Sequence, residues 1–195
     1  MLNAIKQKGN SGFTLVEALV VSSIFIVTLG MIYGVYISGF DVWDVQRYQA
    51  DLQAQARVAL NYMVSELRNA TRTSTQNPSP NLSIPSTPNN KQIIFHLPED
   101  KNGDGLITDA NGDIEWDTND PIKYEYIPGQ KELRRLEKGV KRILAREVSD
   151  VQFIDTSIDS TLHINELKII LTLSKTTPRK RNVAVTLSSI VALRN

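Results

Sequence analysis

The feature that most constrains this chain is a run of 23 uncharged residues, Ala18 to Phe40. It reads ALVVSSIFIVTLGMIYGVYISGF and contains no proline. As a helix it extends roughly 34 Å at about 1.5 Å per residue. That is enough to cross a hydrocarbon core about 30 Å thick. A single charge, Glu17, sits at the start of the apolar block. A carboxylate costs on the order of 2.5–3.5 kcal/mol at mid-bilayer and less near the interface. A plain anchor has no use for it. Beside an opposite charge the acid becomes far cheaper, so Glu17 reads as a charge waiting for a partner.

Lys6 and Lys8 precede the block, and Asp41 and Asp44 follow it. The basic side stays cytoplasmic. The chain is therefore expected to cross a membrane once, with its N-terminus on the cytoplasmic side and its C-terminal domain outside.

The sequence Gly12-Phe13-Thr14-Leu15-Val16-Glu17, behind that short basic leader, resembles the processing site of type IV prepilins and type II secretion pseudopilins. The resemblance implies a membrane prepilin peptidase that cuts between Gly12 and Phe13. It implies N-methylation of Phe13, the new first residue. It implies an assembly role for Glu17, pairing with the N-terminal amine of a neighbouring subunit. The implied partners are other pilins or pseudopilins, met through the N-terminal helix, the peptidase, and an inner-membrane assembly platform. A secretory signal loses its apolar segment on cleavage. Here only the leader is lost and the helix stays, first in the membrane and then in the filament.

Within the span, Gly30 and Gly34 form a small-xxx-small pair. Such a pair allows close helix approach or local extension, and is also ordinary glycine usage in membrane helices. Beyond the membrane the pattern changes. Val45, Tyr48, Leu52, Ala56, Ala59, Met63, Leu67 and Ala70 recur three or four residues apart, an amphipathic helix. Arg47, Asp51, Arg57, Glu66 and Arg68 fall off that stripe. The segment Gln55–Ala70 also resembles the matching helix of W-type minor pilins and J-class minor pseudopilins.

Thr71 to Gln92 carries Pro78, Pro80, Pro85 and Pro88, which rule out a helix or a central strand. It is expected to be a long loop. The β signals follow. Ile93–Phe95 reads as a strand, Ile122–Ile127 and Glu132–Leu136 as a hairpin with a type II turn at Pro128-Gly129, and Val151–Ile154 as a short strand. Leu167, Ile169, Leu171 and Leu173 alternate with polar or exposed positions, and Val183, Val185, Leu187, Val191 and Leu193 keep one phase. The two runs are expected to pair. Ile143–Val148 fits either a strand or a helical turn. The expected fold is α+β: a long N-terminal helix packed on a C-terminal antiparallel sheet. Its parts are a leader (1–12), a transmembrane assembly helix (13–40), an amphipathic helix (41–71) and a β-rich domain (72–195). The chain has no cysteine, so no disulfide can hold the exported domain.

Between Glu99 and Asp120 lie eight acidic residues against one lysine. Asp100, Asn102 and Asp104 alternate ahead of Gly105, as at the start of a calcium loop. In that reading the Leu106 carbonyl and Thr108 take the next places, Asp109 or Asp113 closes the cage, and Ile107 anchors the loop to the core. Asn111 stands where an EF-hand has its bidentate Glu. The other reading is a solvated acidic turn.

Two basic clusters remain, Arg134–Arg146 and Lys175–Arg181. They read as solvated faces, or as a surface for DNA phosphates. An enzyme is not expected: His96 and His163 stand apart, and no nucleophile motif or phosphate loop is present. The sequence leads to a structural minor pilin or pseudopilin that helps start or cap a type IV pilus or type II secretion pseudopilus. A DNA-binding subunit of an uptake filament is the alternative.

Overall fold

A computed structural model describes residues 13–70, 82–84, 90–112, 114–116 and 120–193. One helix, α1, spans Leu15–Leu67. The chain forms two compact units, Met1–Asp44 and Val45–Asn195. In the first, the described residues from Phe13 to Phe40 are all exposed helix or its lead-in. The hydroxyls of Ser22, Ser23, Thr28 and Ser38 each donate to a carbonyl three or four residues back, at 2.8–3.0 Å. The serine and threonine hydroxyls of the span are therefore satisfied within the helix. It stays helical through Gly30 and Gly34, where an added Cβ would meet nothing within 4 Å.

The second unit holds the core. From α1 it takes Leu52, Ala56, Ala59, Leu60, Met63 and Leu67, all buried, with Val45 and Tyr48 packed at the margin. Every position of the expected stripe thus faces inward, and Leu60 widens it. Ala70 is buried just past the helix end.

Among the described residues, eight antiparallel strands belong to this unit: β1 (Leu82–Ser83), β2 (Gln92–Phe95), β3 (Ile122–Ile127), β4 (Glu132–Glu137), β5 (Val140–Ala145), β6 (Val148–Ile154), β7 (Glu166–Thr176) and β8 (Asn182–Ala192). They form two sheets, ordered β1-β2-β3-β4-β5 and β6-β7-β8. The α+β expectation holds, with the β layer divided in two. The division falls at Arg146-Glu147, where Glu147 adopts a left-handed backbone (φ 58°) and turns the chain out of β5. Backbone bonds then tie the second sheet to the first: Val148 N–H to Lys131 C=O and Phe153 N–H to Asn90 C=O, both 2.9 Å. Ile143–Val148, ambiguous in sequence, divides between β5 and the first residue of β6.

β7 alternates as expected, with Leu167, Ile169, Leu171 and Leu173 fully buried. It pairs along its whole length with β8, Leu171 opposite Leu187. The β3–β4 hairpin is present, but its turn is not type II. Pro128–Gln130 forms a 3-10 turn, and the left-handed residue is Lys131 (φ 52°), whose N–H bonds back to Pro128. A type II turn needs positive φ at Gly129, and the four-residue loop moves that requirement two places on. The β4–β5 hairpin closes on two left-handed residues, Lys138 and Gly139 (φ 48° and 76°). That is type I′ geometry, matched to the twist of the strands. The expected loop at 71–92 contains β1, whose buried Leu82 pairs with Phe95. Its remaining stretches, 71–81 and 85–89, lie outside the described residues.

Candidate functional site

Three regions carry chemistry: the start of the helix, the acidic loop, and the basic hairpin.

Phe13 is exposed at the head of the chain, and Gly12 lies outside the described residues. Thr14 and Glu17 are bound to each other. Thr14 Oγ1 accepts from the Glu17 N–H at 3.2 Å, while Glu17 Oε2 accepts from the Thr14 N–H and hydroxyl, each at 3.1 Å. This is a capping box, an N-cap threonine answered by an N3 glutamate. It serves donors that a helix start otherwise leaves bare and sets a negative charge at the positive end of the helix dipole. The signal was in the sequence, Thr-x-x-Glu before an apolar run, but the motif drew attention to Glu17 alone. The acid is thus satisfied within the isolated chain, with its second oxygen Oε1 outside the box.

The helix that follows is long and apolar enough to span a membrane. Towards the C-terminal end of the apolar run, Val35, Tyr36, Gly39, Phe40 and Trp43 line a shallow apolar hollow. Tyr36 and Phe40 meet edge-on at 4.5 Å between ring centres. Aromatic rings of this kind favour the membrane–water boundary.

In the acidic loop, the two oxygens of Asp100 accept from Gly103 N–H (2.7 Å) and Gly105 N–H (2.8 Å). Asn102 Oδ1 accepts from Asp104 N–H (2.9 Å), and Asp104 Oδ1 from Leu106 N–H (2.7 Å). Asp109 Oδ1 accepts from Asn111 N–H at 2.8 Å. Gly103, Gly105 and Gly112 all hold positive φ, so Gly105 makes the sharp turn expected of it. Asp100, Asn102 and Asp104 therefore gather on one turn, with Asp109 on the next and Asp113 outside the described residues. Among the described residues, no three His, Asp or Glu side chains converge as metal ligands. Ile107 does not anchor the loop; like Leu106 it is exposed. Trp116 does so instead, 5% exposed and bridged to Pro98. Glu99 N–H to Glu115 C=O (3.0 Å) and Glu115 N–H to Ile107 C=O (2.9 Å) close the loop as a pinned excursion between β2 and β3.

The basic hairpin is largely neutralised by its own chain. Arg134 pairs with Glu132 at 2.8 Å, and Arg146 reaches the same acid at 3.9 Å. Lys138 meets Glu99 of the acidic loop at 3.8 Å. Arg142 lies over the Tyr62 ring, 4.7 Å from its centre. Arg135 is drawn inward to Glu66 (2.9 Å) and Glu137 (2.6 Å). Burial lowers the Arg135 pKa, but the hydrogen bonds it donates to Glu66 and Glu137 outweigh this and hold the guanidinium charged. Tyr124, fully buried in β3, donates to Glu66 as well. Burial first, then the Glu66 carboxylate, push the Tyr124 phenol far above its ordinary value. Tyr124 is a core residue. In the second cluster, Lys175 pairs with Glu147 at 3.7 Å and lies 5.4 Å over the Tyr48 ring.

Comparison with known proteins adds one positive finding. Residues 7–33 match the family model described as the prokaryotic N-terminal methylation motif. No curated protein and no solved structure matches the chain. The matched segment holds the end of the leader with Lys8, then Gly12, Phe13, the Thr14–Glu17 box and the apolar run as far as Tyr33. The motif together with the single apolar helix indicates a membrane-anchored, type IV pilin-like or pseudopilin-like substrate of prepilin peptidase.

Proposed function

We propose that this chain is a minor pilin or minor pseudopilin, a non-catalytic subunit that helps start or cap a filament of the type IV pilus or type II secretion kind. The observation that carries the reading is the motif around Gly12–Glu17 placed directly before an uncharged helix whose whole apolar surface is exposed in the isolated chain. Such a surface needs either lipid or the helices of neighbouring subunits to cover it. The subunit waits in the inner membrane with its domain outside, is cut between Gly12 and Phe13, and is methylated at Phe13. It then enters a bundle of like helices on the assembly platform, and Glu17 exchanges part of its bonding within the box for the amine of a neighbour. The W-type or J-class subtype, and with it a low copy number, rests on the Gln55–Ala70 helix. The DNA-binding alternative draws little from the hairpin, where Arg134, Arg135, Lys138 and Arg146 already have acidic partners.

The test is complementation of a deletion strain. Glu17→Ala should be processed normally and accumulate in the membrane, yet fail to restore filaments or secretion. Full restoration by Glu17→Ala would remove the assembly role.

A further inference from the structure

The acidic loop contains one short pattern twice: Asp100-Lys101-Asn102-Gly103-Asp104 and, nine residues on, Asp109-Ala110-Asn111-Gly112-Asp113. Each copy places an asparagine directly before a glycine. The glycine nitrogen has no Cβ beside it and is open to approach. It can attack Cγ, the side-chain carbonyl carbon of the asparagine before it. In both copies the asparagine and the glycine are exposed, and an aspartate follows the glycine. By sequence the two sites are alike. The structure separates them.

At the first copy three bonds stand in the way. Gly103 N–H donates to Asp100 Oδ1 at 2.7 Å. Asn102 Nδ2 donates to Asp104 Oδ2 at 2.9 Å, and Asn102 Oδ1 accepts from Asp104 N–H at 2.9 Å. The nitrogen that must attack is therefore tied to a carboxylate, a stronger bond than one between neutral groups. Losing its proton there sets two negative charges side by side. Both ends of the side-chain amide are fixed as well. At the second copy, Gly112 N–H donates to a neutral acceptor, the Asp109 carbonyl, at 2.9 Å across a turn. Asn111 Nδ2 reaches Asp109 Oδ2 only at 3.4 Å, beyond the usual range. Exposed backbone bonds of this kind open locally.

We propose that Asn111 is a site of spontaneous deamidation and that the fold shields Asn102 from the same reaction. Hydroxide takes the Gly112 amide proton, and the nitrogen attacks Asn111 Cγ. The N–Cγ bond forms and the Cγ–Nδ2 bond breaks. The departing nitrogen takes a proton from water and leaves as ammonia, which restores the hydroxide. Water then opens the cyclic imide at either carbonyl, leaving aspartate or isoaspartate. Nothing is oxidised or reduced. The product sets a new carboxylate at position 111, where a calcium loop of the EF-hand kind has its closing acid. The reaction needs no ion, so it holds whether or not the loop binds calcium.

The test is peptide mass spectrometry of the full-length chain, held in detergent micelles with chelator at mildly alkaline pH. Conversion of each asparagine to aspartate or isoaspartate is followed over time. In the folded chain Asn111 should convert roughly tenfold faster than Asn102, the rate cost of the charged-group bond that Asn102 must first give up. In the same chain unfolded in guanidinium the two should convert at similar rates. Asp100→Ala releases the Gly103 N–H, so it should bring Asn102 up toward the rate of Asn111 and leave Asn111 unchanged. Equal rates in the folded chain would overturn the proposal. So would faster conversion at Asn102, no conversion at Asn111 while the unfolded chain converts, or an Asn102 that stays shielded in Asp100→Ala.

Discussion

Arg135 on β4 holds Glu66 on the helix through its Nε, at 3.1 Å to one carboxylate oxygen and 3.0 Å to the other, with Nη2 at 2.9 Å. Tyr124 donates to the same carboxylate from β3, and Tyr62 from one helical turn earlier at 3.1 Å. Both partners are mostly buried, with side-chain exposures of 11% and 16%. Burying one charge without the other is what makes such a pair costly to break, on the order of 3–5 kcal/mol. We expect Arg135→Ala and Glu66→Ala each to destabilise the C-terminal unit by roughly 3 kcal/mol in urea unfolding. The double variant should lose much less than the sum. Additive losses would mean that the pair is not coupled.

Acid should act through a second pair, Lys91 and Asp150, which bonds the first sheet to the second. Burial alone would raise the Asp150 carboxyl, but hydrogen bonds from Lys91 and Gln152 hold it below the ordinary carboxylate value. The stabilisation is therefore fully present above the unfolded carboxylate pKa, near 3.9, and is lost as pH falls through the lower folded value. Asp150→Asn should be less stable than wild type at neutral pH and should lose less on acidification below about pH 4. Parallel stability curves from pH 7 to pH 2 would contradict this.

The capping box makes a local claim. Thr14→Ala should weaken the helix start by about 1 kcal/mol, and Thr14→Ser by less. Amide exchange at Val16 and Glu17, read by NMR in micelles, should rise about fivefold in the alanine variant. The melting temperature of the C-terminal unit should not move. Unchanged exchange would mean that the box does not hold the helix start.

Calcium is the prediction for the acidic loop. Asp100 and Asp104 already cap loop N–H groups, so Asp100→Ala should lower stability with or without an ion. The calcium reading adds an ion-dependent part, about 2.7 kcal/mol at a hundredfold excess over Kd. That part should vanish in both Asp100→Ala and Asp104→Ala. Identical melting of the wild-type chain in calcium and in chelator would leave a solvated turn.

The helix and the β7–β8 hairpin were legible because burial imposes a period. Leu52, Ala56, Ala59, Met63 and Leu67 repeat at helical spacing, and Leu167 to Leu173 at strand spacing. Glu66 and Arg135 were not legible. Each looks like a surface charge by itself, and only the fold brings residues 69 apart into contact. The division into two sheets depends on a left-handed Glu147, which residue type does not announce. Trp116 takes the anchoring role expected of Ile107, because an apolar residue in a loop says nothing about which way the loop closes. The N-terminal motif was legible because it is a short linear segment whose residue types carry the signal by themselves.

The most direct test of that site is the N-terminus of the protein extracted from its membrane. Intact-mass analysis and N-terminal sequencing should find a chain beginning at N-methylated Phe13, and strains lacking prepilin peptidase should retain Met1 to Gly12. A mature chain that begins after Phe40, or one that keeps its leader in the presence of the peptidase, would contradict the account.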